Sequence, residues 1–284
     1  MAAVLAALEE ETDWDPRTCD SYLGTSAGSI VAAWLAAGVS PLSRVGQMPE
    51  APSAGDHDGA GPGALGQVLQ AGRAAGLLTA APMAALGLRT TAPGGALARR
   101  LALSRVPRGR RSLGGLRGQV EASGVGWDDG LLVSAVDLES GRRVMFGAPD
   151  APAASVGQAV EASCAIPGYF RPVEIGGRSY VDGGAWSPTN LDAAPVSRGT
   201  RVLCLNPTGS MRPSRGSPAG ALGPLSRSIA GVEALALRRR GAHVDTISPD
   251  ASTVSAIGGN LMDPRRRDGV TAAGVAQGRR VARG

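Results

Sequence analysis

Leu23-Gly24-Thr25-Ser26-Ala27-Gly28-Ser29 is the stretch that decides how the rest of the chain is read. A short extended run, Asp20-Ser21-Tyr22-Leu23, precedes it. A good helix former, Ile30-Val31-Ala32-Ala33-Trp34-Leu35-Ala36-Ala37, follows and stops at Gly38. Strand, tight turn and helix put Ser26 at the bend. Gly24 and Gly28 lack a Cβ, which allows a strained turn and a close approach of neighbouring backbone. Ser26 Oγ then stands clear of the sheet at the positive end of a helix, with the Ala27 N–H placed to donate to an oxyanion. An activated serine nucleophile is presented in this way.

Composition narrows the class. The chain has 284 residues, 43% of them hydrophobic, enough for a substantial core, yet no apolar run approaches the ~18 residues of a membrane span. Aromatics are only 3%, so the core is expected to be Ala, Val, Leu and Ile. All 29 basic residues are arginine, and the net charge of +5 mildly favours anionic surfaces or substrates. The aromatic and basic interleaving of a nucleic-acid groove is missing. Cys19, Cys164 and Cys204 are odd in number and at no metal spacing, which points to reduced thiols, a cytoplasmic protein and no cofactor. Met1 to Leu8 runs directly into Glu9-Glu10-Glu11, unlike an export signal, and reads as a helix.

Along the chain, strand and helix patterns alternate, predicting a three-layer α/β/α domain over residues 1–284 with a mainly parallel central sheet. Residues 39–126, rich in Gly, Pro and Arg, read as a low-order insertion or cap. Leu131 to Asp137 is a buried-type strand, and Glu139-Ser140-Gly141 turns it into Arg142 to Phe146 as a hairpin. Val156 to Ser163 has helical spacing. Ser179 to Val181 is a short strand ending at Asp182-Gly183-Gly184, and Arg201 to Leu205 is another strand. A later helix carries Ile229, Val232, Leu235 and Ala236 on one face and ends at Gly241; Val244 to Ile247 is a last strand. Asp263-Pro264 opens a closing helix.

A serine needs a base. His57 lies in a Gly/Asp loop and His243 starts a strand, and Ser26, Asp182 and His243 fall in the chain order of an α/β-hydrolase triad. Asp182 is itself the other candidate. Parallel strands put their C-terminal ends on one edge, where Ser26 and Asp182 could meet, and desolvation would raise an ordinarily weak aspartate base.

Gly24-Thr25-Ser26-Ala27-Gly28, with Ala165-Ile166-Pro167-Gly168-Tyr169-Phe170 and Tyr180-Val181-Asp182-Gly183-Gly184 downstream, resembles the patatin-like phospholipases. The resemblance implies a Ser26–Asp182 dyad without histidine, acting through an acyl-enzyme on lipid esters. It maps the nucleophile motif onto Ser26, within the elbow that Gly24, Ala27 and Gly28 form, and the aspartate motif onto Asp182, Gly183 and Gly184. The sequence itself points to no metal, no nucleic-acid partner and no transmembrane segment, and to an arginine-rich cap that would meet an anionic membrane peripherally. One departure stands out. The family's glycine-rich oxyanion loop precedes the helix that Met1 to Glu11 resembles and is missing here. A start upstream of Met1 is therefore expected, with impaired hydrolysis in the 284-residue form. The rival expectation is a catalytically silent lipid- or membrane-binding protein of the same fold.

Overall fold

The computed structural model describes residues 1–45, 93–127, 130–210, 222–258 and 263–284. The chain opens with helix α1 (Ala2–Glu11), whose apolar residues Val4, Leu5 and Leu8 are all buried. Strand β1 (Tyr22–Gly24) leads through Thr25 and Ser26 into α2 (Ala27–Ala36). α2 buries every residue from Ser29 to Leu35, as a helix without a polar face must. A short α3 (Pro41–Arg44) follows, capped by Ser40.

Within 39–126, residues 46–92, and with them His57, lie outside the described residues. The described remainder is held in place. Helix α4 (Pro93–Ser104) sends Arg99 inward, where it donates to the Gly141 carbonyl at 2.8 Å and stacks 3.9 Å over the Trp186 ring. Arg99 is 4% exposed, and burial pushes its pKa down to about 10. Helix α5 (Gly114–Glu121) adds Leu116 and Val120 to the core. Between them the basic stretch is tied down: the Arg171 N–H donates to the Arg111 carbonyl, and Gly109 lies against the Tyr169–Phe170 backbone.

Strand β2 (Leu131–Asp137) is buried along almost its whole length, as its apolar run requires. It turns at Gly141 into β3 (Arg143–Phe146). Ser155 then starts α6 (Val156–Ser163) with a reciprocal cap, its hydroxyl accepting from Gln158 N while the Gln158 side chain accepts from Ser155 N. β4 (Val173–Ile175) and β5 (Arg178–Asp182) form a second hairpin. β6 (Arg201–Leu205), α7 (Leu222–Arg239), β7 (His243–Ile247) and α8 (Ala251–Ile257) come next. Asp263 caps a 3-10 turn that opens the last helix, α9 (Arg267–Ala282).

The α/β class is as the alternation predicts, with helices on both sides of the sheet. The sheet itself is mixed rather than mainly parallel. β1–β2 and β6–β7 pair parallel, whereas β2–β3, β2–β5 and β4–β5 pair antiparallel, and β6–β7 stands as a separate two-stranded sheet. The registers show why the mixture matters. β3 occupies one edge of β2 from Val133 to Val136. β1 pairs with Leu131 to Val133 and β5 with Ala135 to Asp137, so both lie on the other edge. They run toward each other, and their last residues, Gly24 and Asp182, sit opposite Val133 and Ala135. Two residue steps along β2, with Ser134 between, separate them by about 7 Å.

One helix face differs from the sequence reading. α7 buries Ser226, Ile229, Ala230, Glu233, Ala234 and Leu237, and leaves Val232 and Leu235 about half exposed. The apolar stripe loses to a stripe carrying Glu233, because that carboxylate finds donors on Ser187, Thr189 and Leu191. Leu237→Ala is therefore expected to cost about 2–5 kcal/mol in urea unfolding. Val232→Gln and Leu235→Gln are expected to stay within about 0.5 kcal/mol of the parent chain.

Candidate active site

Ser26 takes φ 51° and ψ −129°, a conformation that costs a non-glycine residue of order 1–3 kcal/mol unless its surroundings enforce it. Four contacts do so. The Ser26 N–H donates to Ser163 Oγ at 2.9 Å, and its carbonyl accepts from Ser29 N at 2.8 Å and from Ser29 Oγ at 2.6 Å. Gly28 N donates to the Thr25 carbonyl at 2.8 Å. Gly24 makes the fold-back possible, since a Cβ there would lie 2.3 Å from Ser29 Cα. Gly28 is different: a Cβ at that position meets nothing within 4 Å. Of the two elbow glycines, only Gly24 is demanded by packing.

Ser26 Oγ donates to Asp182 Oδ2 at 2.7 Å. The other carboxylate oxygen, Oδ1, accepts from Gly184 N at 2.7 Å, and Asp182 N donates to the Ala165 carbonyl at 3.0 Å. Asp182 is 5% exposed, while Ser26 is half-buried. Burial pushes the Asp182 pKa up to about 6, against the opposing hydrogen bonds from Ser26 and Gly184. Gly183 presses on β2: a Cβ would stand 2.2 Å from Ser134 Oγ and 2.6 Å from the Ser134 carbonyl oxygen. A Cβ on Gly184 would come within 3.0 Å of Asp182 Oδ1.

The Ala27 N–H, the first of α2, has no acceptor among the described residues, whereas those of Gly28 and Ser29 are engaged. It lies on exposed backbone beside Ser26, where an anion would find both a donor and the helix dipole. Cys164 is buried next to the pair, its Sγ 3.9 Å from Ser29 Oγ. Burial, reinforced by the Asp182 charge, pushes that thiol far above its usual range and keeps it protonated and unreactive. Among the described residues no group of three His, Cys, Asp or Glu side chains is placed to hold a metal ion.

His243 does not join them. It is exposed at the start of β7, pairs with Arg201 of β6, and its backbone N–H donates to the Thr200 carbonyl. Its strand belongs to the separate sheet, so the Ser26-Asp182-His243 triad is not assembled. Sequence reasoning missed Ser163 and Asn190. Ser163 had a signal, continuing the buried stripe of Val156, Ala159 and Val160 as its one polar member. Asn190 had none, because the side-chain partners that give it a place at the site, Thr25, Ser134 and Arg143, are distant in sequence.

An α/β protein in which a serine on a strand-turn-helix elbow faces a buried aspartate belongs to a narrow class of folds. The patatin-like phospholipase family model matches residues 1–195, and the chain belongs to that family. The matched span includes α1, the elbow and the Asp182 loop. The family is one of lipid acyl hydrolases, so the chain is a lipid hydrolase by descent, with lipid substrates. No curated protein matches the chain.

Two outcomes test this geometry. A folded-state pKa above the unfolded value of ~3.9 means that the folded protein holds the Asp182 proton more tightly. Stability is then lost as pH rises from about 4 through about 6. Asp182→Asn removes that loss and should stabilise the protein at pH 7–8 by on the order of 1–3 kcal/mol, measured by urea unfolding across pH. Gly24→Ala and Gly183→Ala should each cost at least about 1–3 kcal/mol, whereas Gly28→Ala should leave the thermal transition in place.

Proposed function

We propose that the protein is a serine acyl hydrolase of lipid esters that works with Ser26 and Asp182 alone. The observation that supports it most is the 2.7 Å hydrogen bond from Ser26 Oγ to a buried carboxylate whose pKa is raised to about 6. A carboxylate so raised is a far better proton acceptor at neutral pH than an exposed one, yet it is still largely ionised there.

In this mechanism Asp182 Oδ2 takes the Ser26 hydroxyl proton as Oγ bonds to the ester carbonyl carbon. The oxyanion that forms is met by the Ala27 N–H and the positive end of α2. Collapse breaks the carbon–oxygen bond to the alcohol, which leaves with the proton from Asp182. An acyl-Ser26 ester remains. Water then attacks it, giving its proton to Asp182, and the tetrahedral species releases the fatty acid as Ser26 Oγ recovers a proton. Ser163 keeps the elbow in register throughout, and Gly184 N holds the aspartate so that Oδ2 faces the serine.

Lipid delivery has a candidate surface. α4 exposes Leu97 and Leu101 on one flank, and the exposed Arg105, Arg108 and Arg110 follow it. Apolar side chains rimmed by arginine suit the headgroup region of an anionic bilayer. No helix among the described residues is long and apolar enough to cross a membrane.

A fluorophosphonate probe should label the protein, and Ser26→Ala should abolish labelling. Asp182→Asn should lower ester turnover by at least ~10³-fold, as loss of a base and its proton transfer does, and His243→Ala should leave it within twofold. The kcat/KM profile should rise with pH through a limb near 6 as Asp182 ionises. A folded protein that binds lipid vesicles but never takes the label would instead be a silent lipid-binding member of the family.

A further inference from the structure

Among the described residues only two that are not glycine have positive φ: Ser26 and Asn190. Asn190 reaches the chain neighbour of Ser26, Thr25. Asn190 is fully buried, and its amide nitrogen Nδ2 lies 2.7 Å from the Ser187 carbonyl oxygen, 3.1 Å from Thr25 Oγ1, 3.2 Å from Ser134 Oγ and 3.3 Å from the Gly183 carbonyl oxygen. An amide nitrogen has two hydrogens, so it cannot serve four acceptors equally. The nearest, Ser187, takes one. The other points at the seam shared by Thr25, Ser134 and Gly183.

The orientation of the amide is fixed. Arg143 Nη1 approaches Asn190 Oδ1 at 3.3 Å, and the same guanidinium grips Asp192 at 2.7 and 3.0 Å. With its oxygen turned to a cation and its nitrogen facing two carbonyls, the amide has one sensible assignment. The backbone on both sides is held as well. Glu233 of α7 accepts from Ser187 Oγ at 2.7 Å, from Thr189 Oγ1 and from Leu191 N at 3.0 Å. This buried carboxylate has no part in the proton transfers above, yet it anchors the segment that carries Asn190.

Thr25 adjoins Ser26, and Gly183 adjoins Asp182. We propose that Asn190 is a positioning residue of the hydrolytic site, its amide joining Thr25 to the Gly183 carbonyl and so setting the separation of Ser26 from Asp182. It touches neither reacting group and acts through their chain neighbours. Given the hydrolase reading above, a displacement of about 1 Å between the two side chains is enough to cost ~10²-fold in rate.

The alternative role for Asn190 is only to supply a left-handed turn, which asparagine tolerates better than most residues. Asn190→Gly separates the two, because glycine keeps the backbone and deletes the amide. With a p-nitrophenyl acyl ester, kcat is expected to fall 10- to 100-fold while KM stays within twofold, in protein whose thermal transition shows it to be folded. Wild-type kcat in Asn190→Gly overturns the proposal. Should that variant not fold, Thr25→Val removes the acceptor and keeps the branched shape; it must lower kcat without raising KM, and full activity overturns the proposal. In the double variant the loss should not exceed the larger single loss, since both remove one link; losses that multiply overturn it. Turnover and fluorophosphonate labelling of the wild type are measured first. A folded wild type lacking both overturns the hydrolase reading, whereas an active wild type matched by Asn190→Gly overturns only the role of Asn190.

Discussion

The site depends on two strands sharing one edge of a third. β1 and β5 approach each other along β2 from opposite directions and stop two β2 residues apart. One step beyond each strand, Thr25 and Gly183 both arrive at Ser134: Thr25 Oγ1 lies 2.9 Å from Ser134 Oγ, and Gly183 packs onto the Ser134 backbone. Everything chemical is fastened to that junction. The elbow springs from one strand end and the aspartate terminates the other, so β2's own pleat sets the spacing of the two strand ends, and the contacts beyond them set the final approach. A strand is among the stiffest rulers a protein has, and residues 156 apart in sequence are thereby brought to 2.7 Å.

Closeness of this kind has an energetic cost, and the surrounding core offsets it. Ser26 sits in a strained backbone conformation and Asp182 is buried where its charge is disfavoured. Against these stand the wholly buried face of α2, the residues of β2 from Val133 to Val136, and Phe146 in edge-to-face contact with Tyr180 at 5.2 Å. α6 belongs to the same support, packing Ala159, Val160 and Ala162 into the core while its last residue, Ser163, accepts from the Ser26 N–H. Packing and the Ser26–Asp182 geometry share the same residues here, so strain at the elbow cannot relax without disturbing the core.

In the proposed reaction, electrostatics explains how a carboxylate can stand where histidine is the commoner base. Water around Asp182 is replaced by β2, α6 and the Gly183–Gly184 turn, which raises its proton affinity. Two donors, Ser26 Oγ and Gly184 N, keep that rise moderate and fix which oxygen faces the nucleophile. The same burial drives the neighbouring Cys164 thiol the other way in usefulness, holding it protonated. Burial thus raises the proton affinity of both groups, and for Cys164 the Asp182 charge adds to it.

Local sequence was enough for the elements themselves. The apolar run Leu131 to Asp137, the spacing from Val156 to Ser163 and the glycine-flanked serine each encode a strand, helix or turn through their own backbone preferences, and each forms where its residues dictate. Ser26 and Asp182 could be singled out because Gly-Thr-Ser-Ala-Gly and Asp-Gly-Gly are contiguous. How they meet could not: an edge shared by strands of opposite direction depends on pairing across more than a hundred residues. For the same reason the buried face of α7 went to Glu233 rather than to Val232 and Leu235, and the role of Asn190 left no trace in its neighbours. A sequence determines which residues prefer to bend, extend or hide. Only the folded chain decides which distant donors and acceptors arrive together, because a buried polar group is placed by its partners and not by its own preference.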